Sequence, residues 1–247
     1  MRYVIYISYL GTNYHGWQVQ DNALSIQYIL NNSLSKILKE DIKTVGAGRT
    51  DTGVHALNQA AHFDFKEELD NNDFLYKINS ILPNDISVNR LIEVKDDFHA
   101  RFDAIERSYI YKIHLNKTPF LYGLSYHYKN KINLSILNKA CKIIISNNNF
   151  KSFCKSKSDV KNYICNLVSA KWKKGDNDTF FFEISSDRFL RGMVRAIVGT
   201  MFILNEKKIN LSDFKKIILD NDRRNAGYSV FPGGLYLKQI LYPIKFK

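Results

Sequence analysis

The segment Gly46-Ala47-Gly48-Arg49-Thr50-Asp51-Thr52-Gly53-Val54-His55-Ala56 sets an aspartate two residues from an arginine, among three glycines. Glycine tolerates the backbone conformations of a tight loop, so such a segment can present side chains to a ligand. A carboxylate in that setting serves as nucleophile or as base, and Arg49 is close enough in sequence to hold Asp51 ionised and oriented. A dinucleotide fingerprint fails on spacing, because G-x-G-x-x-G needs glycine at position 51, and there is no G-K-[ST] for a phosphate loop. An acidic side chain aimed into a phosphate cradle would also repel what the cradle binds. Taken alone, the segment is read about equally well as a structural Arg–Asp clamp.

The histidines raise a second chemistry. His55, His62 and His99 lie near such segments, and two histidines on one face can cleave RNA by acid and base. Nothing in their spacing gives a pair a common face, so each reads as a structural residue. Cys141, Cys154 and Cys165 are odd in number and form no C-x-x-C pair, which argues against a disulfide framework and against zinc. They are expected to be reduced, with Cys141 in the core.

The elements that must position these groups follow from periodicity. Residues 2–9 alternate as a half-buried strand, and Ser25 caps a helix with Ile26, Ile29, Leu30, Leu34, Ile37 and Leu38 on one stripe. After the glycine-rich turn come a strand over 59–65, a helix over 73–82, a break at Pro83-Asn84-Asp85 and a strand over 86–94. A second unit opens with the alternating run from Ser108 to Ile113. It continues with a helix over 134–145 and a hairpin of 164–172 and 179–185 turned by Gly175-Asp176-Asn177. Helices over 189–204 and 212–219 and a strand over 235–244 complete the chain. The expected class is α+β in two lobes, residues 1–105 and 106–247.

Composition narrows the partner. With 36 Lys plus Arg against 24 Asp plus Glu among 247 residues, the net charge is +12 and the pI about 9.4, a balance that attracts a polyanion. A Lys-, Asn- and Ile-rich proteome would produce the same excess, so charge alone does not decide. No run approaches the roughly 18 apolar residues of a membrane span, and the N-terminus enters a strand pattern directly, so a cytoplasmic protein is expected.

Four stretches resemble the pseudouridine synthases in their tRNA pseudouridine synthase A form. They are the loop Gly48 to Ala56, Tyr9-Leu10-Gly11-Thr12-Asn13-Tyr14-His15-Gly16-Trp17-Gln18-Val19-Gln20, Asp97-Phe98-His99-Ala100-Arg101-Phe102-Asp103-Ala104, and Met193-Val194-Arg195-Ala196-Ile197-Val198-Gly199. They are collinear over most of the chain, and Leu10 departs from the family's usual aspartate. The resemblance implies the pseudouridine synthase fold, two ferredoxin-like halves around a central antiparallel sheet with an active-site cleft between them. It implies isomerisation of uridine to pseudouridine in the tRNA anticodon stem-loop, at positions 38 to 40, without metal or organic cofactor, by a homodimer. Asp51 would be the catalytic carboxylate, with Arg49 and Arg195 in support. Tyr109 would stack on the flipped base, although Tyr111 lies on the same face of the strand. Leu235 and Leu237, beside Gly233-Gly234, would supply an apolar floor. The rival readings are a synthase acting on another RNA and a catalytically silent RNA-binding module on the same scaffold.

Overall fold

The alternation at the N-terminus builds strand β1 (Arg2–Tyr9), and from there the chain runs through α1 (Ile26–Leu38), β2 (Val45–Gly46), β3 (His55–Asp64), α2 (Asn71–Ile81) and β4 (Ile86–Val94). It continues with β5 (Glu106–His114), β6 (Tyr126–His127), α3 (Leu134–Ile145), β7 (Leu167–Lys174), β8 (Thr179–Ser186), α4 (Met193–Asn205), α5 (Leu211–Leu219) and β9 (Leu235–Leu241). The structure is a computed structural model that describes residues 1–156, 158 and 160–243. The class is α+β, as expected. The chain divides into two units: Met1–Ile105 with the described residues from Tyr236 onward, and Glu106–Leu235. The first unit thus recruits the end of the chain, which the sequence reading gave to a second lobe spanning 106–247.

In the first unit the strand order is β4-β1-β3-β9, with β2 also on β3. β1 pairs antiparallel with both β3 and β4, and the Tyr9↔Ala56 pair sets the end of β1 beside the start of β3. The pairing is not antiparallel throughout: β9 runs parallel to β3 through His55↔Tyr236 and Ala56↔Leu237. A hairpin would enforce antiparallel pairing, and the long connection between these strands removes that constraint. Tyr3, Phe63 and Phe74 stack in series, which joins β1 and β3 to α2. Ser25 caps α1 by accepting from the Tyr28 amide, and Ile26, Leu30 and Leu34 are fully buried. β3 begins at His55, four residues before the expected start, because its first residues pair with β9.

In the second unit the order is β5-β8-β7, antiparallel, with β6 parallel to β5. The hairpin turn carries Asn177 and Asp178 at φ 51° and 55°, left-handed values that these side chains tolerate. Helix α4 starts at Met193, not at Phe189, because Gly192 sits at φ 72° and interrupts any helix before it. Helix α4 is enclosed on almost every side. Nearly all of its residues are buried, and the Gly199 Cα lies so close to the chain that an added Cβ would sit 1.9 Å from the Tyr228 carbonyl oxygen. Strand β9 ends at Leu241, and the expected end at Ile244 lies outside the described residues. Among the described residues no helix is long and apolar enough to cross a membrane.

Candidate active site

The loop between β2 and β3 is moulded by the segment that follows β1. Gly11 and Gly16 let the two backbones touch: a Cβ at Gly11 would lie 2.1 Å from the Val54 carbonyl oxygen, and one at Gly16 would lie 2.4 Å from that of Thr50. Across this contact the Trp17 amide donates to Thr50 O at 3.2 Å and the Gly53 amide to Tyr14 O at 3.3 Å. The Thr50 hydroxyl, buried, shares a hydrogen bond of 2.8 Å with the Tyr9 phenol. Within the loop the Val54 amide donates to Asp51 O at 3.1 Å, closing a turn over Thr52 and Gly53 that begins at Asp51. On the other side Gln59 donates Nε2 to Gly48 O at 3.0 Å. Trp17, 1% exposed, lies against Gly46, where a Cβ would meet its Nε1 at 2.5 Å. Leu10 is exposed and its amide bonds Asp85 O at 2.9 Å, so the departure from the family's aspartate leaves this backbone pairing in place.

On this mould Asp51 is half-buried and Arg49 exposed. Arg49 Nε donates to Gln18 Oε1 at 3.2 Å, which ties the guanidinium to the 16–20 segment. The loop can therefore present one carboxylate from a backbone whose groups are largely engaged elsewhere.

In the second unit Tyr109 sits on β5 opposite Ile184 of β8, half-buried, with the Phe189 ring edge-on at 5.1 Å. Tyr111, two residues on, is fully buried. Its hydroxyl donates to Phe231 O at 2.9 Å, and burial raises its pKa. The two tyrosines that alternation left equivalent are thus separated: Tyr111 is core, and Tyr109 is only partly buried. Arg195, in the first turn of α4, donates Nε to Val230 O at 2.7 Å, while the Val230 amide returns a bond to Arg195 O at 3.3 Å. This fastens the chain before β9 to the helix. Leu235 and Leu237 are 6% and 1% exposed, Leu235 closing the second unit and Leu237 paired with Ala56 in the first.

Two of the histidines serve the backbone. His55 Nδ1 accepts from the Gly11 amide at 2.9 Å, and His62 Nδ1 accepts from the Ala100 amide at 3.1 Å. Burial holds His62 at a pKa of about 4. All three cysteines are free and buried, and among the described residues no three His, Cys, Asp or Glu side chains gather as a metal-holding group. The residues that sequence reasoning passed over are Tyr9, Trp17 and Gln59, which shape the loop from outside it. Their only signal was membership of the Tyr9–Gln20 motif or proximity to the Asp51 loop.

The model of the family described as tRNA pseudouridine synthase matches residues 5–103 and 140–243. A tRNA pseudouridine synthase A of Bacteroides fragilis is 44% identical over 243 residues, covering 98% of this chain and 96% of its own. Those of Porphyromonas gingivalis and Caldicellulosiruptor saccharolyticus are 40% and 36% identical, over 98% and 96% of this chain and 97% of each relative. The chain belongs to the tRNA pseudouridine synthase family.

Proposed function

We propose that this protein isomerises uridine to pseudouridine in the tRNA anticodon stem-loop, at positions 38 to 40, with Asp51 as the catalytic carboxylate. The N1–C1′ bond breaks, the uracil turns while held, C5 bonds to C1′ and gives up its proton, and N1 ends protonated. Asp51 acts as a nucleophile on sugar or base, or as the base that removes a sugar proton, and every route passes through the same carboxylate. The observation that carries this reading is the mould around the loop: Thr50 is held through both its hydroxyl and its carbonyl, immediately before Asp51. Such fixation matters for a group that must meet a flipped base in one geometry.

Tyr109 stacks on the flipped uracil, a contact worth roughly 1–3 kcal/mol that offsets part of the cost of unstacking it. Arg49, exposed at the loop, fills the space the base leaves in the stem. Arg195 supports the site through the chain it fastens, and Leu235 and Leu237 form the apolar floor. The basic surface meets phosphates rather than bases, which suits substrates of differing sequence. The working form is a cytoplasmic homodimer.

The test is to incubate the protein with an unmodified tRNA transcript, map pseudouridine at nucleotide resolution and repeat with Asp51→Ala. Product at positions 38 to 40 that vanishes in the variant, with RNA binding retained, is the expected result. Product elsewhere would assign another RNA target. Tight binding by the wild type without product would make the protein a binding module.

A further inference from the structure

The stretch Asp97 to Ala104 is a closely built turn. The Phe98 ring is buried and its carbonyl accepts Arg2 Nη1 at 2.8 Å. Ala100 is held from both sides, its amide on His62 Nδ1 and its carbonyl under the Tyr242 hydroxyl at 2.7 Å. The His99 amide donates to Asp103 Oδ2 at 2.8 Å, and the Asp103 amide donates to His99 O at 3.0 Å. His99 Nδ1 in turn accepts from the amides of Arg101 and Phe102, at 3.1 and 3.3 Å. At the tip of this turn Phe102 is 73% exposed. Its ring lies over His99 with centroids 4.2 Å apart and planes inclined by 35°, and the Arg101 guanidinium stands 5.6 Å from its centroid.

Leaving a phenyl ring in water forgoes the free energy of burying it. A turn with this many backbone bonds does not need an aromatic tip to hold its shape. What the tip offers is a ring already immobilised by the imidazole beneath it, with a guanidinium at its edge. Unpaired bases of RNA are bound in this way, stacked on aromatic and guanidinium planes, and stacking tolerates any base because every base has a π-face. Rigidity in advance lowers the entropy lost on binding.

We propose that Phe102, backed by His99 and flanked by Arg101, is a stacking platform for an unpaired nucleobase of the RNA substrate, a second base-binding site besides the one at Tyr109. The assignment rests on the RNA-modifying reading above. Two full-length variants test it, Phe102→Leu, which keeps an apolar tip without a π-face, and Phe102→Trp, which enlarges it. Binding of an unmodified tRNA transcript is measured in the Asp51→Ala background, so that affinity is read without turnover and a failure of the catalytic reading is seen separately in the wild-type product assay. Phe102→Leu is expected to raise Kd roughly tenfold with an unchanged melting temperature. Phe102→Trp is expected to bind at least as tightly as the parent and to show fluorescence quenched by RNA, whereas Trp17 and Trp172, each 1% exposed, report little. Unaltered affinity in Phe102→Leu, or an introduced indole blind to RNA, would overturn the proposal. So would loss of affinity in both variants together with dissociation in sedimentation, which would place the ring between two copies of the chain.

Discussion

The hydroxyl groups of Tyr9 and Thr50 meet at 2.8 Å in a buried hydrogen bond across 41 positions of the chain. Thr50 precedes Asp51, so this bond carries the geometry of β1 to the residue assigned the chemistry. Tyr9→Phe is expected to leave the Thr50 hydroxyl unsatisfied, at a cost of about 1–3 kcal/mol, and to lower kcat about tenfold or more through misplacement of Asp51. Thr50→Val should do the same from the other side, Thr50→Ser should restore most of the rate, and the double variant should lose less than the sum of the singles. Single-turnover rates beside denaturation curves separate the two effects. Full rates in both singles would remove the bond from any positioning role.

Gly16 sits at φ 87° with Thr50 O 2.4 Å from where a Cβ would be. Gly16→Ala must therefore push the loop backbone as well as adopt a left-handed conformation that alone costs roughly 1–2 kcal/mol. Gly48 has nothing within 4 Å of its added Cβ. The expected contrast in thermal melts is a drop of several degrees for Gly16→Ala and almost none for Gly48→Ala, at roughly 2–4 °C per kcal/mol for a chain of this size.

Arg195 fastens Val230 through a charge-assisted hydrogen bond from Nε, an atom that lysine lacks. Arg195→Lys is expected to lose about 1.5–3 kcal/mol in urea denaturation even though the charge is conserved. An unchanged midpoint would show that the Val230 segment is held by other contacts.

His62 is neutral in the folded protein, its pKa depressed to about 4 by burial first and then by the charges of Arg2 and His99. Unfolded, it takes up a proton near pH 6.5. Between these values the unfolded state binds more protons, so stability is complete above about pH 6.5 and falls as pH drops toward about 4, below which both states are protonated. His62→Gln, whose amide oxygen can still accept from Ala100, is expected to flatten the melting temperature over that window relative to wild type. Parallel pH profiles for the two proteins would contradict the assignment.

Much of this architecture was already legible in the linear pattern, where the physics is local. The span of α3, the Ser25 cap of α1 and the left-handed turn of the β7–β8 hairpin follow from side-chain periodicity and backbone preference within a few residues. Asp51 stood out because glycines and charges are adjacent in sequence. The order and chemistry of the four motifs sufficed for the family.

Only the tertiary structure decided what depends on contacts between distant positions. It seated β9 parallel to β3 in the first unit, because strand pairing after a long connection has no local signature. It distinguished Tyr109 from Tyr111, which share a face by alternation, by burying one against Phe231 and leaving the other half open. It turned Arg49 to Gln18, made His55 and His62 acceptors for backbone amides, and lifted Phe102 to the tip of a bonded turn. The physical reason is common to all of these: sequence spacing sets which way a side chain leaves its own backbone, while its partner, its burial and its charge state are set by whatever other segment the fold brings against it.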